Sequence, residues 1–460
     1  MKTLLSISIL SVLSLAGEIF GFRRLVQPIV LIGLLVALVF NLSDWNTNAS
    51  YFNNMMLFDN FAVGFSALLI STALLLFLVL PKFYETWQIN KQESYALQLF
   101  ALAGGICMIS FGNLSMLFIG IELMSISSYV LAGSDKRNLL SNEAALKYFL
   151  MGSFASGFLL FGIALVYGAT GTFDLAAIGK YALVNQETAS PMFYGGIALL
   201  IIAMGFKASI APFHFWAPDV YDGSPTGVTA FMATIVKIAA FAAFVRLFSY
   251  GFAPLNANLS LLLAVMAALT MSIGNLSALW QDSFKRMLAF SGVAHAGYLL
   301  LGLVSSAGLA ASNAVLFYGT AYALSSIVAF AVLLLIDYQL GHEGRKDFKG
   351  LSRKHPLLAA AVTVAMLSLA GIPPTAGFFG KYYLFSLAIN AGYSWLVFIA
   401  VVNSVISVFY YFDIIIKMYA PDNQQGLSLD IPMPYKIALG VATFGTLALG
   451  IWPALLAGIL

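Results

Sequence analysis

Apolar residues run through this sequence in stretches long enough to cross a lipid bilayer, and they do so fourteen times. A helix rises 1.5 Å per residue, so about 20 apolar residues cover the roughly 30 Å of hydrocarbon. The runs lie at about 2–20, 25–43, 58–80, 95–112, 114–133, 143–168, 192–216, 226–249, 257–279, 285–304, 308–338, 356–390, 394–419 and 434–458, with Asn113 as the least certain boundary. No alternating segments of strand length occur, which excludes a barrel. Helices remain as the spanning element, because only they satisfy every backbone group within one segment in lipid. The predicted fold class is therefore an all-α polytopic membrane protein. Composition agrees, with 61% hydrophobic residues and 9% charged among 460, more apolar surface than a soluble chain hides.

The basic residues orient the runs. Arg23, Arg24, Lys82, Lys91, Lys136, Arg137, Lys285, Arg286, Arg345, Lys346, Lys349, Arg353, Lys354, Lys417 and Lys436 fall in alternate loops. The opposite loops hold only Lys2, Lys180 and, at a helix end, Arg246, whose stem fits snorkelling. This asymmetry predicts cytoplasmic basic loops and both termini on the far side. It also favours reading the first twenty residues as a retained helix and not as a cleaved signal, since removing one span scrambles the alternation. The net charge of +3 then reflects orientation and gives no footprint for nucleic acid.

Several chemistries are not indicated. One cysteine, Cys107, cannot form an intrachain disulfide or a cysteine-ligated metal cluster, and its apolar surroundings suit a small core residue. No glycine-rich phosphate loop sits between a strand and a helix, and no histidine pair has the i, i+4 spacing of a zinc site.

A second regularity divides the chain. Residues 95–249 and 257–419 each hold five runs, after an N-terminal three-helix segment (1–92) and before a C-terminal helix (420–460). In both blocks the second run has a central ionisable residue, Glu122 and then His295. The fourth has a lysine beside prolines, in "MGFKASIAPFHFW" (Lys207, Pro212) and "AGIPPTAGFFGK" (Pro373, Pro374, Lys381). An odd number of spans turns the second block over, so two inverted five-helix units, each with a broken helix, are expected.

Charge within these runs is the functional signal. An uncompensated charge at mid-membrane costs about 2.5–3.5 kcal/mol on insertion scales. Glu122, Lys147, Lys207, Lys237 and Lys381 must therefore face one another or water. Lysines outnumber the acid, so a set of salt bridges that only locks helices does not neutralise them all. Proline removes a backbone donor and opens the helix, and freed groups in a membrane need water or protein. A break next to a buried lysine thus makes a wet, titratable spot at mid-depth. His295 either relays protons or is a hydrogen-bonded core histidine. His214 either caps the broken turn or joins the path. Asp219 and Asp222 either gate uptake from the cytoplasm or cap a loop, and Glu143 reads as a structural carboxylate opening the sixth run. His342 and His355 read as solvated loop residues.

The strings "ALKYFLMGSFASGFLLFGIALVYGATGT", "PFHFWAPDVYDGSPTGVTAF", "FKRMLAFSGVAHAGYLLLG" and "GIPPTAGFFGKYYLF" resemble the antiporter-like membrane subunits of respiratory complex I, most of all the subunit N branch of bacterial NADH-quinone oxidoreductases. The resemblance covers roughly 95–420. It implies fourteen helices, two inverted half-channels and a line of polar residues along the membrane midplane. By position it implies proton translocation through Glu122, Lys147, Lys207, Lys237, His295 and Lys381, with His214, Asp219, Pro212 and Pro373 at channel or gating positions. Lysine at 381, where the M branch usually has glutamate, and the absence of the L branch's extra helix favour N. Asp413 departs from the pattern, which has a basic residue there. The resemblance further implies that NADH, flavin, iron–sulfur clusters and quinone all reside in partner subunits, with no cofactor or metal in this chain. The partners are other complex I membrane subunits, further antiporter-like ones among them, in the inner membrane of a bacterium. Two rivals remain: a subunit of a cation/proton antiporter or membrane-bound hydrogenase, and a non-pumping scaffold.

Overall fold

The computed structural model describes residues 1–86, 89–186, 188–305, 308–340, 344–421 and 429–460; His342 lies outside them. The chain order is α1 (Lys2–Ile19), α2 (Arg23–Ser43), β1 (Ala49–Tyr51), β2 (Met56–Phe58), α3 (Asn60–Thr86), α4 (Lys91–Ser110), α5 (Leu114–Ala132), α6 (Leu139–Thr170), α7 (Leu175–Val184), α8 (Pro191–Lys207), α9 (Trp216–Gly223), α10 (Thr226–Phe231), α11 (Lys237–Arg246), α12 (Asn256–Leu279), α13 (Phe284–Val304), α14 (Leu309–Leu340), α15 (Leu351–Lys354), α16 (Pro356–Ala370), α17 (Ala376–Asn390), α18 (Ser394–Tyr419) and α19 (Met433–Ile451). A π-turn over Met232–Val236 joins α10 to α11, and a second follows α11, so Thr226–Gly251 acts as one rod.

Twelve of the described helices are long and apolar enough to cross a membrane, against the fourteen expected. The difference lies at the two proline-bearing runs, 192–216 and 356–390, each of which is two shorter helices and no continuous rod. Short polar side chains set many of the boundaries by accepting from the first free amides. Asn113 caps α5 by accepting from the Met116 amide at 2.9 Å, which settles the boundary there. Asn138 caps α6, so that helix opens four residues before Glu143, and Ser283 caps α13. The antiparallel β1–β2 hairpin, which reaches the third apolar run only at Phe58, and the ten-residue α7 carry no sign in those runs.

The innermost rod is Thr226–Gly251, whose most apolar window is wholly buried, with α4, α13 and α14 packed round it. These helices are apolar on every side because protein surrounds them; α1 and α2 sit outside and turn Ile9, Val12, Leu35 and Val39 outward, as lipid-facing helices do. Glycines let backbones meet closely: a Cβ on Gly104 or Gly120 would come within 2.7 Å of the opposite backbone, which brings α4 and α5 into direct contact.

Arg246 does not snorkel. Its side chain is fully buried and pairs with Asp59, just before α3, at 2.5 Å. The guanidinium also lies over the Phe61 ring at 4.7 Å. A fixed counter-charge removes the need to reach water.

Candidate functional site

Both helix breaks are built from backbone that protein groups satisfy. After α8, Ser209 takes a left-handed φ of 60° and the Ala211–Pro212 bond is cis. The Ala211 amide donates to Thr270 Oγ1 at 3.0 Å, and the Trp216 indole donates to the Phe206 carbonyl at 2.9 Å. After α16, Gly371 closes the helix at φ 84°, and the Pro373–Pro374 bond is cis. Ser368 Oγ accepts from the Gly377 amide at 3.2 Å.

Lys207 is the last residue of α8. Buried, it donates to Ser125 Oγ at 2.8 Å. Glu122 stands one turn from Ser125 on α5 and accepts a hydrogen bond from Ser156 Oγ of α6. The carboxylate and the ammonium thus form no ion pair; each is bonded to a serine. Tyr148 lies beneath the ammonium at 5.9 Å and stacks on Trp216 at 4.5 Å. Trp216 meets Tyr221 edge-on at 5.8 Å, and the Lys237 ammonium stands 6.0 Å from that ring. The link from Lys207 to Lys237 is therefore an aromatic tract, with each ammonium over a π-face.

Lys237 follows the π-turn directly, a distortion frequent at functional positions. It donates to the Gly292 carbonyl at 2.7 Å. A side chain at 292 would meet Lys237 Nζ at 3.0 Å and the Tyr322 hydroxyl at 3.3 Å, so glycine is what admits both. One turn along α13, His295 is bonded through both ring nitrogens, to the Tyr318 hydroxyl at 2.5 Å and the Tyr411 hydroxyl at 3.1 Å. Tyr411 also bonds Ser291 at 2.5 Å. Lys381 reaches back across the second break to the Ala370 carbonyl at 2.8 Å and to Ser404 Oγ at 3.2 Å, with the Tyr298 ring 4.6 Å away. Ser404 donates to Tyr298, which Asn275 also contacts, and Asn275 accepts from Tyr410 at 2.9 Å. Hydroxyls both donate and accept, so this mesh around His295 and Lys381 has the parts needed to pass a proton.

Four of the six residues expected to carry protons, Lys207, Lys237, His295 and Lys381, lie buried on this line, and Glu122 stands one helical turn from the Ser125 that Lys207 bonds. Lys147 stands apart. It is half-exposed and pairs with Glu143 at 2.7 Å and Asp219 at 3.2 Å. Asp219 also takes Arg286 at 2.9 Å, and Asp222 takes the same guanidinium at 3.4 Å, which ties α6, α9 and α13 together. His214 is buried beside Phe215 with Nδ1 unpartnered, and no hydrogen bond among the described residues joins it to the line. Asp413 sits between Lys417 at 2.6 Å and Arg345 at 3.6 Å, so the basic partner is present on neighbouring positions. Among the described residues no three His, Cys, Asp or Glu side chains gather to hold a metal ion.

Sequence reasoning misses the hydroxyl and amide residues: Ser125, Ser156, Ser404, Asn275, Tyr298, Tyr318 and Tyr411. One signal is present. Glu122, Ser125 and Tyr129 fall at i, i+3 and i+7, a single helix face.

The chain matches the family model described as NADH:quinone oxidoreductase/Mrp antiporter, TM over residues 112–407. It is 44% identical over 453 residues to NADH-quinone oxidoreductase subunit N of Flavobacterium psychrophilum, covering 98% of each chain. The subunit N of Cytophaga hutchinsonii is 42% identical, with 99% of this chain and 98% of that one covered. Among solved structures, respiratory complex I from Thermus thermophilus with bound aureothin contains a chain 36% identical, with TM-score 0.82 over 98% of this chain and 99% of that one. The Mrp complex from Dietzia shares the fold, at TM-score 0.86 and 22% identity, over 99% of this chain and 95% of that one.

Proposed function

The chain belongs to the NADH:quinone oxidoreductase/Mrp antiporter membrane family, as a subunit N of bacterial NADH-quinone oxidoreductase, and from that premise we propose that it moves protons along the buried line from Lys207 through Lys237 and His295 to Lys381. It is one antiporter-like membrane subunit of a translocase whose electron transfer from NADH to quinone takes place in partner subunits. We read α8 with α9 and α16 with α17 as two further crossings, which completes fourteen, and residues 95–249 and 257–419 as two inverted half-channel units. A buried lysine beside each break, Lys207 before the first and Lys381 after the second, supports this reading. The basic loops then face the cytoplasm and both termini the periplasm.

The observation that carries the proposal is the hydrogen-bonded mesh from His295 through Tyr411, Tyr410, Asn275 and Tyr298 to Ser404 and Lys381, with Lys237 bonded to the Gly292 carbonyl one turn before His295. A scaffold needs its charges paired. Among the described residues Lys237 and Lys381 meet only neutral carbonyls, hydroxyls and rings, an arrangement that leaves each ammonium free to change charge. The energy scale is adequate for pumping. One charge moved against 100 mV takes about 2.3 kcal/mol, equal to fewer than two pKa units at about 1.36 kcal/mol each. An opposite charge brought near a lysine favours its protonated form, and withdrawal favours release, so a conformational or electrostatic signal at Glu122 would drive the cycle. Pro212, Pro373, His214 and Asp219 keep their channel and gating roles as part of this proposal, and Lys147 serves the cytoplasmic end.

The test is Lys237→Ala in the assembled complex, reconstituted in vesicles. Proton uptake per NADH oxidised should fall at least about tenfold, while NADH oxidation by an artificial flavin-site acceptor stays at the wild-type level. Unchanged uptake in a correctly assembled complex would leave the scaffold reading standing.

A further inference from the structure

Glu122 and Lys207 are the only carboxylate–ammonium combination on the buried line among the described residues, yet they are held apart. What separates them is ordered. Ser127 and Ser128 return their hydroxyls to carbonyls one turn back on α5, at 2.8 and 2.7 Å, as serines in membrane helices commonly do. Ser125 instead accepts from Lys207 Nζ, so its own proton points away from the ammonium. Ser156 likewise gives its proton to Glu122 and not to its own helix. A cavity of about 10 Å³ is lined by Ser125, Ser156, Tyr129 and Lys207 together with six apolar residues. That is about the room of one water, and such a water needs two to four polar partners, which the two serine hydroxyls and the Tyr129 hydroxyl offer. Gly152 makes the space: a Cβ there would sit 2.0 Å from the Tyr129 hydroxyl and push it out of the wall.

We propose that Ser125, one bound water and Ser156 form a three-oxygen relay joining Lys207 to Glu122, in place of a direct ion pair. The inference rests on the proton-pumping reading and deepens it. The two end bonds already run in one sense, from ammonium to Ser125 and from Ser156 to carboxylate, with the Tyr129 hydroxyl bonded beside Ser125. Each oxygen accepts one proton and passes on its own, so a single shift turns Lys207 ammonium and Glu122 carboxylate into amine and carboxylic acid, with no heavy atom moved and no charge left on the relay. The two end groups neutralise each other at a distance that two helices can widen or narrow by small slides. Widening by one water's width breaks the relay and leaves both ends charged, which makes it a switch that opens on a sub-turn displacement.

The test uses the whole complex with Ser125→Ala, Ser156→Ala, Ser156→Thr and, as a reference, Lys207→Ala. Each alanine variant should lower proton uptake per NADH oxidised by about tenfold, the scale for losing a buried hydrogen bond to a charged group, and should move the pH optimum of pumping. Ser156→Thr, which keeps the hydroxyl, should restore both. A merely structural serine would lower the amount of assembled complex and leave the pH profile of the remainder unchanged, and that result overturns the proposal. High-resolution density for the assembled complex should show one water between the two hydroxyls; an empty or side-chain-filled space also overturns it. If Lys207→Ala pumps normally the functional reading itself fails. If Lys207→Ala is dead while both serine variants pump with wild-type profiles, only the relay fails.

Discussion

The two helix breaks look alike in sequence and differ in chemistry. At the first, Lys207 ends its helix and faces a carboxylate across hydroxyl groups. At the second, Lys381 lies beyond the break and reaches back to a backbone carbonyl, a serine and an aromatic face, with no carboxylate in contact among the described residues. On the proposed reading, the Glu122 charge lets the first site receive a signal. Among the described residues the second offers neutral dipoles and would pass on what arrives, so the same backbone device would support an input at one end of the line and a relay at the other.

The comparison depends first on how each glycine is used. Gly371 takes φ 84°, and a Cβ there would stand 2.7 Å from Lys381 Cδ, so Gly371→Ala meets both backbone strain and a blocked lysine. Such positions cost about 1–3 kcal/mol from strain alone. The amount of assembled complex and its melting temperature should both fall. Gly292→Ala meets the flexible tip of Lys237 at 3.0 Å in ordinary helical backbone. That variant should assemble normally and lose pumping only. Equal loss of assembly in both would show that the breaks are no more demanding than the helix interior.

Counter-charge is the second lever. Ser404→Asp would place a carboxylate where the hydroxyl now stands 3.2 Å from Lys381 Nζ. At an effective dielectric of about 20, two charges about 4 Å apart attract by about 4 kcal/mol, enough to hold the lysine charged throughout the cycle. Proton uptake per NADH should fall about tenfold or more, with flavin-site activity unchanged. The reverse change, Glu122→Gln, removes both the counter-charge and the proton acceptor from the first site but leaves Ser125 bonded to Lys207; a loss of about tenfold, matching the serine variants, is expected. Should Ser404→Asp pump as well as wild type, the second site is no neutral relay, and the contrast disappears.

How far these sites can be read beforehand follows from the cost of charge. Lys207, Lys237, Lys381 and Glu122 stand out because lipid penalises them, and Pro212 and Pro373 because they interrupt runs that otherwise read as helix. Serine has no such mark: Ser125 and Ser127 are alike in sequence, and only the fold sends one to Lys207 and the other to its own backbone. The Asp59–Arg246 pair joins residues 187 positions apart, and nothing local in either segment announces the other. Its place in an apolar run draws Lys147 into the line, yet the helix begins early enough to set it among Glu143 and Asp219. The span count turns on the same point, since apolar length does not say whether a proline bends a helix or divides it.

The smallest expected difference lies at the ends of the two regions on the basic-loop side. In the first, Arg286 pairs with Asp219 and Asp222, and these ion pairs include no histidine. In the second, His355 precedes α16 and its Nε2 accepts from the Leu429 amide at 2.8 Å, which docks the segment leading to α19. Only neutral imidazole can accept there. Burial, and then the nearby Lys354 charge, lowers the affinity of His355 for a proton below the ordinary 6.5. Between the lowered value and the ordinary one the unfolded chain binds the extra proton and the folded chain does not, so stability from this contact rises with pH across that window. It is fully present above the ordinary value and is lost as pH falls through the lowered one. Hydrogen exchange at Leu429 should therefore quicken, relative to its intrinsic rate, between about pH 7.5 and pH 5.5, while amides at the start of α9 hold steady. His355→Gln, whose side-chain oxygen accepts at any pH, should flatten the Leu429 response. Parallel loosening at both ends would mean that the two regions respond to acid through a shared motion and not through His355.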